Sequence, residues 1–293
     1  MNARASERQS PAASSEWLPA ALWGLAAFSL VSHVAAIVFH LPHVVGGAMV
    51  SLSLLAFGLL HGRVLYGWRG SLWFIVICLG VSNALENLSI LTGFPFGWYH
   101  YTGLLGPKLF QVPLLVGPAY FGIGYLSWTL ARLIVGDDDA RLNGSRVVSV
   151  PVMAGFIMVA WDLTIDPTMS TINGNWIWHS GGRYFGVPFE NFLGWYLTVY
   201  LYFQIFAVHA RRRRAASGTG STNWRQPLFA YLSIVIAPVL TLFLDSNDGV
   251  VTDPTGTAWP LRDIHEVTAL VGLFTLLPFW LFAVFNVMQR ERR

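Results

Sequence analysis

Asp162 and Asp166 stand in the stretch WDLTIDPTMS (161–170), at the end of an apolar run, 147–161, that carries no charged residue. Four residues apart on a helix, their side chains share a face. Two carboxylates this close cannot both ionise cheaply, so one is expected to hold a proton near neutral pH. A carboxylic acid beside a charged partner is a plausible general acid. The structural alternative is that Asp166 caps the following turn while Asp162 pairs with a buried donor. Because Pro167 disfavours helical geometry at the residue before it, the helix is expected to end at Asp166.

Further acids are expected at the same end of the molecule: Glu86 and Glu190, each followed by an asparagine, Asn87 and Asn191. Two long connections flank them, TGFPFGWYHYTGLLGPKLFQ (92–111) and PTMSTINGNWIWHSGGRYFGVPFE (167–190), and both are dense in aromatic rings. Trp98, Tyr99, Tyr101, Trp176, Trp178, Tyr184 and Phe185 would suit an interfacial aromatic belt. With Gly and Pro at each bend, they look more like caps folded over a cavity mouth. Non-helical backbone at membrane depth must line protein or water to satisfy its polar groups.

The elements that must position these residues follow from composition. Of the 293 residues 54% are hydrophobic and 11% charged, against about a quarter charged in soluble domains. Apolar windows near the length of a bilayer crossing fall at 17–39, 44–60, 72–91, 112–135, 147–165, 192–210, 227–244 and 264–288. The expected fold is therefore all-α, a polytopic transmembrane helix bundle of about eight spans. Residues 1–16 read as a disordered polar tail, and 17–293 as a single transmembrane helical domain. The first apolar run is too long for a signal-peptide core and shows no clear cleavage site.

All but three of the 18 Lys and Arg fall in alternate connections; the exceptions are Lys108, Arg183 and Arg262. The positive-inside rule then places both termini in the cytoplasm of a multi-pass inner (plasma) membrane protein. The arginine run 211–214 reads as an orientation signal, so a net charge of +3 does not imply nucleic acid as a partner. The same topology sends Glu86, Asp162, Asp166, Glu190, Asp245, Asp263 and Glu266 to the opposite side, where acids at membrane depth mark function. The lone Cys78 excludes an internal disulfide and a cysteine-built metal cluster. His33, His40 and His43 show one loose i, i+7 relation and no partner span, so neither a metal nor a haem site is expected. P-loop, Rossmann and serine-elbow motifs are absent.

Three stretches, ENLSILTGFPFGWYHYT (86–102), WDLTIDPTMS (161–170) and GRYFGVPFENFLGW (182–195), together resemble the integral-membrane carotenoid-biosynthesis proteins whose characterised members are carotenoid hydratases of the CruF type. The resemblance is best over residues 80–210. It implies addition of water across the terminal 1,2 double bond of an acyclic (psi) carotenoid end, leaving a tertiary alcohol, with no cofactor or metal. The implied partners are a carotenoid drawn from the bilayer, membrane lipids and other enzymes of the carotenoid pathway.

Alkene hydration needs a proton for carbon 2, a pocket that tolerates a tertiary cation at carbon 1, and a held water. On the matching motifs, Asp162 or Asp166 would supply the proton. Glu86 and Glu190, with Asn87 and Asn191, would orient the water and take a proton back. Tyr99, Tyr101, Trp161 and Trp195 offer faces to a cation, and Trp98 and His100 complete the expected substrate-binding set. Among rivals, a UbiA-type prenyltransferase would need a second aspartate-rich motif, Mg ions and basic residues for a diphosphate. A proton-coupled transporter would carry acids at mid-membrane on broken helices, often with an internal repeat. A carotenoid-binding structural protein would bind without converting.

Overall fold

The computed structural model describes residues 17–136, 142–211 and 223–292. The expected tail, 1–16, and arginines 212–214 lie outside the described residues. The chain is mostly helical: α1 (Trp17–Val38), α2 (His43–Thr92), α3 (Val116–Val135), α4 (Arg146–Asp166), α5 (Phe189–Arg211), α6 (Arg225–Leu244), α7 (Leu261–Val271) and α8 (Leu277–Glu291). A π-helical segment, Gly272–Leu276, joins α7 to α8. Among the described residues, six helical stretches are long and apolar enough to cross a membrane by length and composition. In hydrocarbon a helix is favoured because it satisfies its own backbone polar groups.

α2 is not one rod. Its 50 residues are broken at Gly67, whose φ of 66° and ψ of 170° suit essentially only glycine. The Ser71 hydroxyl donates to the Leu59 carbonyl at 3.1 Å, although twelve residues of straight helix would separate them by about 18 Å. The limbs 43–66 and 68–92 therefore fold back as a hairpin. Beside the bend, the Tyr66 hydroxyl accepts from Arg132 Nη1 at 2.6 Å and from Trp128 Nε1 at 2.9 Å, tying the hairpin to α3. Phe74 stacks on Phe206 of α5 at 4.1 Å, packing the second limb against that helix.

Prolines inside helices leave carbonyls without their usual i+4 donors, and side chains supply replacements at two of them. Pro151 deprives the Val147 carbonyl, which accepts from Gln204 Nε2 at 3.1 Å. Pro167 deprives the Leu163 carbonyl, which accepts from the Tyr184 hydroxyl at 2.8 Å.

The chain does not stop at Asp166 as Pro167 would suggest. Asp166 keeps helical angles (φ −60°, ψ −44°) and a π-helical turn, Pro167–Ile172, continues α4. The wider turn accommodates the missing N–H, and the Ser170 hydroxyl donates to the Asp166 carbonyl at 2.8 Å. Nor is the fold purely helical, because among the described residues three two-stranded antiparallel ribbons form between helices. One of them pairs the two aromatic connections: Tyr99–Tyr101 runs against Trp176–Trp178, with Tyr99 opposite Trp178 and Tyr101 opposite Trp176. Ser89 pins the approach to this ribbon, accepting from the Phe96 N–H and donating to the Gly97 carbonyl, each at 3.0 Å.

Replacing Gly67 with valine should cost about 1–3 kcal/mol, the typical strain of a non-glycine residue in such a conformation. Thermal unfolding in detergent should show a lowered midpoint, while valine at Gly80, which has open space around its Cα, should move it little.

Candidate active site

The ribbon, both limbs of α2 and the ends of α3, α4 and α5 converge at one end of the bundle around a cavity of about 140 Å³. Its walls carry two acids, Glu86 and Asp166, and a collar of rings that includes Phe96, Tyr99, Tyr101, Tyr120, Trp161, Trp176, Trp178 and Trp195. None of the lining residues is Lys or Arg.

Glu86 is buried and meets three phenols. Tyr99 and Tyr101 donate to Oε2, the latter at 2.9 Å, and Tyr120 of α3 donates to Oε1 at 2.7 Å. Burial first, and the adjacent Glu86 charge second, hold the Tyr99 and Tyr101 phenols well above their ordinary range, so both keep the proton they donate. Strand alternation explains the pair: residues two apart point to one face, so Tyr99 and Tyr101 are buried and His100 between them is exposed.

Asp162 and Asp166 are likewise buried and share one partner. Asn191 Nδ2 donates to Asp162 Oδ2 at 3.1 Å and to Asp166 Oδ2, while Trp176 Nε1 donates to Asp166 Oδ1 at 2.9 Å. Asn191 reaches α4 from the first turn of α5. That helix comes close to the Pro95–Phe96 loop because residue 194 is glycine: a Cβ there would lie 2.7 Å from the Pro95 carbonyl oxygen. The rings interlock, with Trp195 stacked on Tyr120 at 4.6 Å and edge-on to Trp161 at 5.9 Å.

Of the residues expected from sequence, Glu86, Asp166, Tyr99, Tyr101, Trp161, Asn191 and Trp195 line the cavity, and Asp162 joins them through Asn191. The other four do not line it. Glu190 is exposed at the start of α5, because consecutive helical residues point about 100° apart and Asn191 takes the inward position. Asn87 is displaced from Glu86 for the same reason; it bonds Asn83 and accepts from the Gln111 N–H at 2.9 Å. Trp98 is 50% exposed, and its indole lies over Gly93. His100 lies on the outer face of the ribbon, its Nδ1 2.8 Å from His179 Nε2.

Sequence reasoning missed Tyr120, whose signal was faint: a phenol within an apolar helix needs a partner when buried. His43, Met169 and Asn175 were also missed as lining residues. Trp176 and Trp178, expected among the rings that cap a cavity mouth but not as named site residues, stand in its wall. A second cavity, about 550 Å³, adjoins the first and shares His43, Gly47, Ser51, Trp161, Ile165 and Met169 with it.

A family model described as carotenoid biosynthesis protein matches residues 29–250. The chain belongs to that family. A curated relative, the bisanhydrobacterioruberin hydratase of Haloarcula japonica, is 30% identical over 118 residues, covering 40% of this chain. The match spans 38% of that hydratase's own length. No solved structure matches the chain. The family match covers the whole cavity wall, from α2 through the ribbon to the start of α5.

Changing Tyr120 to phenylalanine deprives Glu86 Oε1 of its donor and should destabilise the protein by about 1–3 kcal/mol. In a Glu86→Gln background the same change should cost less than half as much, because the interaction removed no longer involves a carboxylate. Chemical unfolding of the four proteins in detergent checks both values.

Proposed function

We propose that this protein is a carotenoid hydratase that adds water across the terminal 1,2 double bond of an acyclic (psi) end group, giving a tertiary 1-hydroxy end. The observation that carries the reading is an aspartate pair bridged by one amide at the wall of an apolar, ring-lined cavity with no Lys or Arg among its lining residues. Such a pair shares a proton more readily than it bears two charges. The family and the hydratase relative support the same chemistry.

Asp166, which lines the cavity, delivers the proton to carbon 2. A tertiary cation develops at carbon 1 as the π bond breaks. The faces of Trp161, Trp195 and the tyrosines attract it, each contact being worth about 0.5–2 kcal/mol. Water bonds to carbon 1 and its excess proton returns to Asp166, so the sum is one water added. Asp162 acts through Asn191, setting the position and proton of Asp166. The Glu86 carboxylate provides a compensating negative charge.

A cavity of about 140 Å³ is near the size that admits benzene in an apolar core. It accommodates the reacting end, while the adjoining 550 Å³ space takes the polyene that follows. The absence of Lys and Arg from the cavity wall disfavours a diphosphate substrate and hence a prenyltransferase.

In this reading the chain crosses the plasma membrane eight times: the six membrane-length stretches, with the α2 limbs counted separately and α7 to α8 as one crossing, give seven, and α3, which is not among the six, is the eighth. Both termini are cytoplasmic, and carotenoid enters from the bilayer alongside membrane lipids and other enzymes of the pathway. A reporter fused after Arg293 should be active only in its cytoplasmic form; periplasmic activity would reverse the orientation.

Cells accumulating lycopene or gamma-carotene and expressing the chain should yield a pigment heavier by one water, identified by chromatography and mass spectrometry. Asp166→Asn should abolish it and Asp162→Asn should lower it at least about a hundredfold, the usual scale of general acid catalysis. A membrane-inserted native chain that leaves both pigments unchanged would refute this substrate assignment.

A further inference from the structure

Hydration requires a water at carbon 1. Of the four expected holders, Glu190 and Asn87 lie outside the cavity, while Glu86 and Asn191 line it with their polar atoms already bonded to tyrosines and to the aspartate pair. Two other groups in its wall have polar atoms that are buried without a hydrogen-bond partner among protein atoms: the Trp178 indole N–H and the Asn175 side-chain oxygen. Both residues are themselves buried, at 4% and 1% exposure. One is a donor and the other an acceptor, the complement a single water needs. Buried polar groups of this kind are rare unless water or a ligand meets them.

Their placement is built rather than incidental. Trp178 is held at the end of the ribbon opposite Tyr99, with ring centroids 4.8 Å apart. Its indole nitrogen lies beside the Asp166 carboxylate without meeting hydrogen-bond geometry to it, whereas Trp176 bonds that carboxylate directly. Asn175 is fixed through its backbone, which accepts from the Thr102 N–H at 3.0 Å, and through its amide nitrogen, 3.3 Å from Met169 Sδ. On the far side of the two tryptophans lies a more polar pocket of about 300 Å³, lined in part by Ser170, Asn173 and Asp253. Trp176 and Trp178 belong to both walls, so the ribbon separates an apolar substrate space from a polar one.

We infer that Trp178 and Asn175 hold the nucleophilic water beside Asp166, with water reaching them from the polar pocket across the tryptophan wall. This assignment rests on the hydratase reading. The Trp178 N–H donates to the water oxygen and the water donates to the Asn175 oxygen. Its other proton passes to the Asp166 carboxylate as the oxygen bonds to carbon 1. The two residues are positioning residues: they govern capture of the cation, not its formation.

The test separates these steps. Purified native protein, Trp178→Phe and Asn175→Leu are incubated with an acyclic carotenoid in D2O, and both the hydroxylated product and the recovered carotenoid are analysed by mass spectrometry. Both variants should form product at least about tenfold more slowly, the scale of one lost hydrogen bond. Their recovered carotenoid should still gain deuterium or a terminal methylene, because an uncaptured cation loses a proton to reform an alkene. Two independent variants guard against a single folding defect, and carotenoid retained through purification reports an intact site. Hydration at the native rate in both would overturn the assignment, as would loss of product and deuterium together. A native protein that neither hydrates nor incorporates deuterium would instead refute the hydratase reading and this assignment with it.

Discussion

Three carboxylates are buried at one end of this bundle with no Lys or Arg lining the cavity between them, so their polarity must be met by neutral donors. A buried carboxylate left without partners costs several kcal/mol, and each partner here comes from a different element. Glu86 draws phenols from the ribbon and from α3; the aspartate pair draws an amide from α5 and an indole from the ribbon. The donors therefore fix how α2, α3, α4, α5 and the two aromatic connections meet. A wall of neutral donors also keeps Lys and Arg out of the cavity lining, which the proposed cationic intermediate requires.

The backbone around the site obeys the same demand. Pro167 would leave a carbonyl of α4 short of its usual donor next to the aspartates, and Tyr184 supplies one from the connection that also forms the ribbon. The π-helical turn after Asp166 continues the helix and leads the chain into the strand bearing Trp176 and Trp178. Local irregularity and the placement of the acid share one cause, a proline set beside it.

Much of this was legible in the amino-acid sequence because hydrocarbon leaves few choices. The apolar windows agree with the helices closely, 17–39 against Trp17–Val38 and 227–244 against Arg225–Leu244, since a membrane-length apolar run has little alternative to a helix. The acids at helix ends were visible for the converse reason: they are conspicuous where charge is expensive. Facing was harder. Glu190 and Asn191 are adjacent in sequence, yet only the asparagine points inward, and the register of α5 that decides this is set by its approach to the Pro95–Phe96 loop. The pairing of Tyr99–Tyr101 with Trp176–Trp178 joins segments about 75 residues apart, and short strands carry almost no periodic signal. Tyr120 was hidden for a related reason, because a ring in an apolar helix reads as core until its hydroxyl is seen to face Glu86.

The central claim is that the protein adds water, and the origin of the product oxygen tests it most directly. Purified protein in detergent, given an acyclic carotenoid in H2¹⁸O under ordinary air, should yield a tertiary alcohol carrying the heavy isotope. It should do so equally well when oxygen gas is removed. A product oxygen drawn from O2, or a product that fails to form without it, would contradict acid-catalysed hydration.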